Sequence, residues 1–347
     1  MKHLFTALIL VLLIAFPVNA TEYTAPEVPA DIMPIMPDET ESFGQGILYV
    51  IKSALQSISP SISASAKICL SLCAISLLVG MAENYFKDAS VTINLVGALA
   101  SGVLLFGPSN TLIKQSIDTV LQIQQYGKLL FPALSAALTA QGAPVTAAAV
   151  HTGTLFFTTL LISLITSVIV PVLYAYLCLC IVSAALDQQI IVRLKKSLKG
   201  FVSWCLKTVL YVFTGYMTIT RAVSGTTDAT ALKATRITIS GVVPVVGRIL
   251  SDASEAVLVG AGLVKNSIGV YGLIAVFAIG ITPFLCAGVY YLLLKLCCVI
   301  CSVWGTGKHT ALITDISSVM GYVLAITATV CIMLFIGIVC FMKGLRS

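Results

Sequence analysis

The sequence predicts an all-α fold: a polytopic transmembrane helical bundle with Pro-broken helices and interfacial amphipathic helices. Three observations carry that prediction. Only 10% of the 347 residues are charged while 58% are hydrophobic, and the mean hydropathy is +1.03. A soluble globule carries about 25% charged residues because its surface must be wetted. Lipid lifts that requirement, provided the backbone satisfies itself within helices. Long uncharged apolar runs recur along the chain, and proline stands inside them at Pro132, Pro171 and Pro283.

At the amino end, Lys2 and His3 precede an apolar run over 4–16, followed by Pro17 and the small-residue end Val18, Asn19 and Ala20. This order predicts a signal peptide over 1–20, cleaved after Ala20. The apolar run is too short for a span, which needs roughly 20 residues. Residues 21–66 then form an extracytoplasmic acidic, Pro-rich tail and an interfacial segment. Over 21–46 the prolines are Pro26, Pro29, Pro34 and Pro37, and every charge is acidic: Glu22, Glu27, Asp31, Asp38, Glu39 and Glu41. Such a segment is expected to be extended or disordered. The stretch 47–65 reads as an interfacial helix broken by Pro60.

Residues 67–342 form the membrane domain. Runs over 68–82 and 91–106, joined by a polar link at 83–88, predict a helical hairpin. Over 110–128, Ile113, Ile117, Val120 and Leu121 share a face opposite Lys114, Gln115, Gln122 and Gln125, which predicts a helix lying at the surface. The stretch 129–150 is apolar but interrupted by Pro132, Gln141, Gly142 and Pro144. Residues 153–186 carry no charge. A straight helix of that length spans about 51 Å, against an apolar core of ~30 Å. Either one kinked helix extends past the bilayer, or the chain turns at Pro171. Arg193, Lys195, Lys196 and Lys199 form the densest basic loop and are expected in the cytoplasm. With an extracytoplasmic N-terminus, 129–186 then crosses once or three times, and 204–219 crosses back. The last strong span is 319–341, before a short basic tail at 343–347. An offset of 112 residues lays Pro132 on Pro244 and Pro171 on Pro283, giving candidate parallel repeat halves over 90–200 and 201–312. Repeated halves are common in transport folds.

Chemistry-bearing motifs are scarce. The only histidines are His3, His151 and His309. No HExxH, GxSxG, GxxxxGK[ST] or GxGxxG pattern is present, so neither an enzyme nor a cofactor is expected. The eleven cysteines lie mostly in apolar runs, among them Cys69, Cys73, Cys178, Cys180, Cys331 and Cys340, and behave there as small hydrophobes. Cys297, Cys298 and Cys301 cluster, but no second Cys or His pair lies near them in sequence, so no metal is expected. The net charge of +6 is scattered and suggests no nucleic acid. One polar cluster stands out: Asp228, Lys233, Arg236, Arg248, Asp252, Glu255, Lys265 and Asn266. Arg248 and Asp252 are four apart and share a helical face. A charge at the centre of a membrane helix costs about 2.5–3.5 kcal/mol, so such groups pair, face a cavity or sit at the interface. The cluster is therefore either a functional polar surface or a solvated interfacial helix with snorkelling side chains.

Residues 241–272 resemble the signature stretch of the stage III sporulation protein AE family, through Pro244, Gly247, Arg248, Asp252, Lys265, Asn266 and Gly269. Leu232 to Arg236 upstream and Asp315 and Ile316 downstream fit as well, so the resemblance extends over about 68–342. The outside tail is shorter here than is usual in the family. The resemblance implies a non-enzymatic subunit of a mother-cell membrane complex, a channel or feeding tube needed for forespore development after engulfment. Its implied partners are a secretion-type ATPase, ring-forming proteins and, across the intermembrane space, a forespore membrane protein. The alternative, suggested by the repeat and the prolines, is a stand-alone secondary transporter for an unknown solute.

Overall fold

The computed structural model describes residues 26–30, 32–37, 43–185, 188–242, 247–304 and 307–343, with side chains except at 185, 232, 234–258, 304 and 307–308. The signal peptide and the basic tail beyond 343 lie outside the described residues. Within them there is no strand. The helices are α1 (Phe43–Ser57), α2 (Ser59–Tyr85), α3 (Ser90–Ala140), α4 (Pro144–Leu164), α5 (Val170–Ala185), α6 (Gln189–Val242), α7 (Gly247–Trp304) and α8 (Gly307–Met342). Five helical stretches are long and apolar enough to cross a membrane: Ser59–Tyr85, Lys87–Ala140, Pro144–Ala184, Val259–Val303 and His309–Met342. The chain is thus an all-α polytopic bundle.

Three expectations are corrected. The described part of the tail over 21–46 is not wholly extended: Met33–Ile35 form a 3-10 turn, and Val28, Ile32 and Met36 around it are buried. Burial of three apolar side chains offsets the local disfavour of proline and like charge. Residues 110–128 are not a surface helix but the middle of α3, with Ile113, Val120, Ile123 and Tyr126 buried. Finally, Pro132 and Pro283 do not break their helices; α3 runs on through Pro108 and Pro132, and α7 through Pro283. Packed membrane helices tolerate proline because neighbouring groups satisfy the freed carbonyl.

Only at Pro171 does the backbone change, in a π-helical turn at Ile165–Ile169 between α4 and α5. Proline cannot donate the bond due to the carbonyl four residues back, and a wider turn absorbs the mismatch. The chain does not turn back there. Residues 144–184 form one continuous apolar stretch, long enough to cross once, rather than separate shorter segments. Pro60 does act as expected, standing in the first turn of α2 just after the α1–α2 junction at Ile58. A first-turn proline lacks only an N–H that the helix would have left unpaired.

Side-chain contacts fix the helix directions. Lys199 of α6 reaches Ser318 near the start of α8 at 3.2 Å, and Arg221 reaches the Lys343 carbonyl at its end at 3.3 Å. Hence α6 and α8 run parallel. Ser61 meets Cys286 and Cys69 meets Leu293, so α2 runs parallel to α7. The chain alternates between two ends, with 90, 188, 304 and 309 near one and 140, 228, 265 and 342 near the other. Helix α8 packs most extensively on α7, and α3 packs on both. The stretch 204–219, expected to cross, lies in α6, which is not among the five apolar stretches. It nevertheless runs beside α8 and exposes Trp204, Tyr211, Val212 and Ile219. Small residues allow close approach: the Tyr216 ring covers Gly153, and its hydroxyl donates to the Ala149 carbonyl at 3.3 Å.

Candidate functional site

Two members of the polar cluster converge on one turn. Between α3 and α4 the chain reverses through Gln141, Gly142 and Ala143, and Gly142 takes a left-handed φ of 85° that suits glycine. Pro144 opens α4 and has no N–H, so Val145 and Thr146 present the first amides of that helix. Asp228 of α6, 1% exposed, accepts both, from Val145 N at 3.1 Å and Thr146 N at 2.8 Å. A carboxylate at a helix N-terminus is favoured by hydrogen bonding and by the helix dipole. From α7, Lys265 is 2% exposed and its Nζ donates to Gln141 Oε1 at 2.5 Å. One helical turn earlier stands Gly262, where an added Cβ would lie 2.5 Å from Gln141 Nε2. An acid from one helix and a base from the next thus clamp the same reversal.

Asp228→Ala is expected to lower stability by about 1–3 kcal/mol, since two buried amides lose their acceptor. Thermal unfolding of the detergent-solubilised protein checks this, and an unchanged midpoint would remove Asp228 as a clamp.

The other predicted residues fall apart from the clamp. Lys233 and Asn266 are exposed, while Gly269 is buried against Met342. The side chains of Arg236, Arg248, Asp252 and Glu255, and all of Pro244, lie outside the described residues; Gly247 begins α7.

Sequence reasoning missed a second polar site, at the opposite end. Asp315, in the apolar helix α8, accepts from Lys195 Nζ at 2.5 Å, Lys199 Nζ at 3.3 Å and the Tyr176 hydroxyl at 3.0 Å. The Lys199 ammonium also lies 5.5 Å from the Tyr176 ring centroid, within cation–π range. These groups line a 410 Å³ cavity with Cys180, Lys196 and Leu312. In sequence, the basic loop marks only sidedness. A lone carboxylate inside an otherwise apolar span was the available signal, because such a group needs a partner. The cysteine pair that the sequence did not place beside Cys297 and Cys301 also exists: Cys73, with Cys69 one turn away on α2.

Against known proteins, residues 37–344 match the sequence model of a family described as Stage III sporulation protein AE. A curated relative of that description, from Bacillus subtilis (strain 168), is 24% identical over 265 residues. The alignment takes in 76% of this chain and 66% of the relative, so the chain spans just under two thirds of that protein's length. No solved structure matches the chain.

Proposed function

Because this chain belongs to the stage III sporulation protein AE family and so serves sporulation, we propose that it is a core membrane subunit of the mother-cell channel complex. In this reading the complex keeps the forespore developing after engulfment, and the subunit has no catalytic activity of its own. Its partners are further membrane subunits, among them a secretion-type ATPase and ring-forming proteins, and indirectly a forespore membrane protein. The basic end, with Lys195, Lys196 and Lys199, faces the mother-cell cytoplasm. The clamped end, with Asp228 and Lys265, then faces the intermembrane space, as does the mature N-terminus.

The clamp is the observation that carries the proposal. It holds α6 and α7 against the α3–α4 reversal, and both helices continue beyond it, α6 past Asp228 to Val242 and α7 back from Lys265 to Gly247. That extension bears Arg236, Arg248, Asp252 and Glu255. Charged residues on helices anchored at the outer face suit a contact with water-exposed ring proteins better than a path through lipid.

Deleting the gene in its own sporulating host is expected to arrest development after engulfment, scored by microscopy and heat-resistant spore counts. A deletion strain that sporulates normally would reject the complex and favour a stand-alone transporter. Arg248→Ala and Asp252→Ala are expected to bring spore counts toward the deletion level with the protein still in the membrane. Wild-type counts in both variants would remove the outer extension as the contact.

A further inference from the structure

Five cysteines gather where α2 lies parallel to α7, and their thiols divide into two kinds. Cys69 donates to the Leu293 carbonyl at 3.2 Å, and Cys298 pairs with Thr314 Oγ1 at 2.9 Å. Cys73, Cys297 and Cys301 instead face one another. Their Sγ atoms form a near-equilateral triangle, with 3.8 Å from Cys73 to Cys297, 3.7 Å from Cys297 to Cys301 and 3.8 Å from Cys301 to Cys73. Cys297 also reaches the Cys69 carbonyl at 3.6 Å. Cys297 and Cys301 are buried and Cys73 half-buried. One turn along α2 from Cys73, the Ser76 hydroxyl is buried beside the Cys301 thiol with no other hydrogen-bond partner.

We propose that Cys73, Cys297 and Cys301 form a binding site for a thiophilic closed-shell cation, Zn2+ or Cu(I), that staples α2 to α7. The spacing is the first argument. Zinc–sulfur bonds of ~2.3 Å directed to tetrahedral corners put the sulfurs about 3.8 Å apart, and three-coordinate Cu(I) needs nearly the same triangle. The three sulfurs converge from two helices, so one cation could reach all of them without a shift of either backbone. The donor set is the second argument, because all-sulfur ligation selects soft cations over calcium or magnesium. Ser76 is the third. Its hydroxyl would gain an acceptor in a metal-bound thiolate, as groups around a metal site commonly donate to its ligands. Binding releases the thiol protons to solvent, and no oxidation or reduction is involved.

The test uses the full chain, expressed in cells supplied with zinc or with copper and purified in detergent under reducing conditions. Elemental analysis is expected to find about one ion per chain, identifying which metal is held. Cys73→Ser and Cys301→Ser are expected to lose most of it, while Cys205→Ser on α6 keeps it. Because the site variants could misfold, Cd2+ is also titrated into the metal-free wild-type protein. A thiolate-to-metal charge-transfer band saturating near one equivalent supports the site. Absence of both metal and band overturns it, and so does a disulfide among the three cysteines in rapidly alkylated protein.

Discussion

Replacing Asp315 with alanine is expected to be the most damaging single substitution in the described bundle. Asp315 neutralises Lys195 at 2.5 Å and Lys199 at 3.3 Å, and it accepts the Tyr176 hydroxyl. Its removal leaves two ammonium groups facing each other at the edge of an apolar bundle. Breaking a buried ion pair from one side costs roughly 3–5 kcal/mol. The Lys195 and Asp315 side chains remain 10% and 17% exposed, so some water relieves the orphaned charges, and about 3 kcal/mol is expected here. The double variant Lys195→Met/Asp315→Ala should recover most of that loss, since removing both partners leaves fewer charges to desolvate. Thermal midpoints of the three proteins in one detergent decide the matter. Equal midpoints for Asp315→Ala and the parent chain would mean the pair is a surface contact of little consequence.

The second large effect is expected at Gly97, where three helices meet. An added Cβ there would lie 2.5 Å from Val79 Cγ2 on α2 and 2.6 Å from His309 Nε2 on α8. Neither neighbour yields easily. Val79 is β-branched and restricted at χ1, and His309 is 1% exposed with its Nδ1 3.5 Å from Ser101 Oγ. Gly97→Ala should therefore force α3 away from both helices and cost about 1–3 kcal/mol. Gly215 supplies the opposite case, since it lies on the exposed side of α6 with nothing within 4 Å of its position for a Cβ. There the same change should stabilise by up to about 1 kcal/mol, because alanine favours helix over glycine. Opposite signs at the two glycines, read by thermal unfolding, are the expected result. An unchanged or raised midpoint for Gly97→Ala would show that α2, α3 and α8 are not tightly packed at that junction.

The class of fold was legible because charge content and apolar runs are bulk properties that no local context reverses. Individual elements were harder. The pattern over 110–128 placed Ile113 and Val120 on the inner face, but Leu121 of the same set is exposed while Ser116 and Thr119 are buried. Period alone does not say whether the apolar face meets lipid or protein, and here Ile113, Val120 and Ile123 meet the core while Ser116 pairs with Thr327 at 2.8 Å. Proline misled for a related reason, since rules drawn from water-exposed helices overstate its effect at Pro132 and Pro283. Of the site, Asp228 and Lys265 were legible as charges too expensive to bury without partners. Their shared target at 141–146 was not, because it is backbone and one amide side chain far away in sequence. Two repeated signals went unused: Cys69 and Cys73 have the same four-residue spacing as Cys297 and Cys301, which puts each pair on one helix face.

The wide turn at Ile165–Ile169 carries a last consequence, for phase. One additional residue rotates everything beyond it by about 100° relative to an uninterrupted α-helix. The segment before the turn packs chiefly on α6, with Phe157 against Phe213 at 5.6 Å between ring centroids, while Tyr176 beyond it reaches Asp315 on α8. A single rod thereby addresses two neighbours that lie in different directions around its axis. Deleting one residue from the turn would restore an unbroken helical phase and swing the Tyr176 hydroxyl away from the carboxylate, while the contacts on the near side stay as they are.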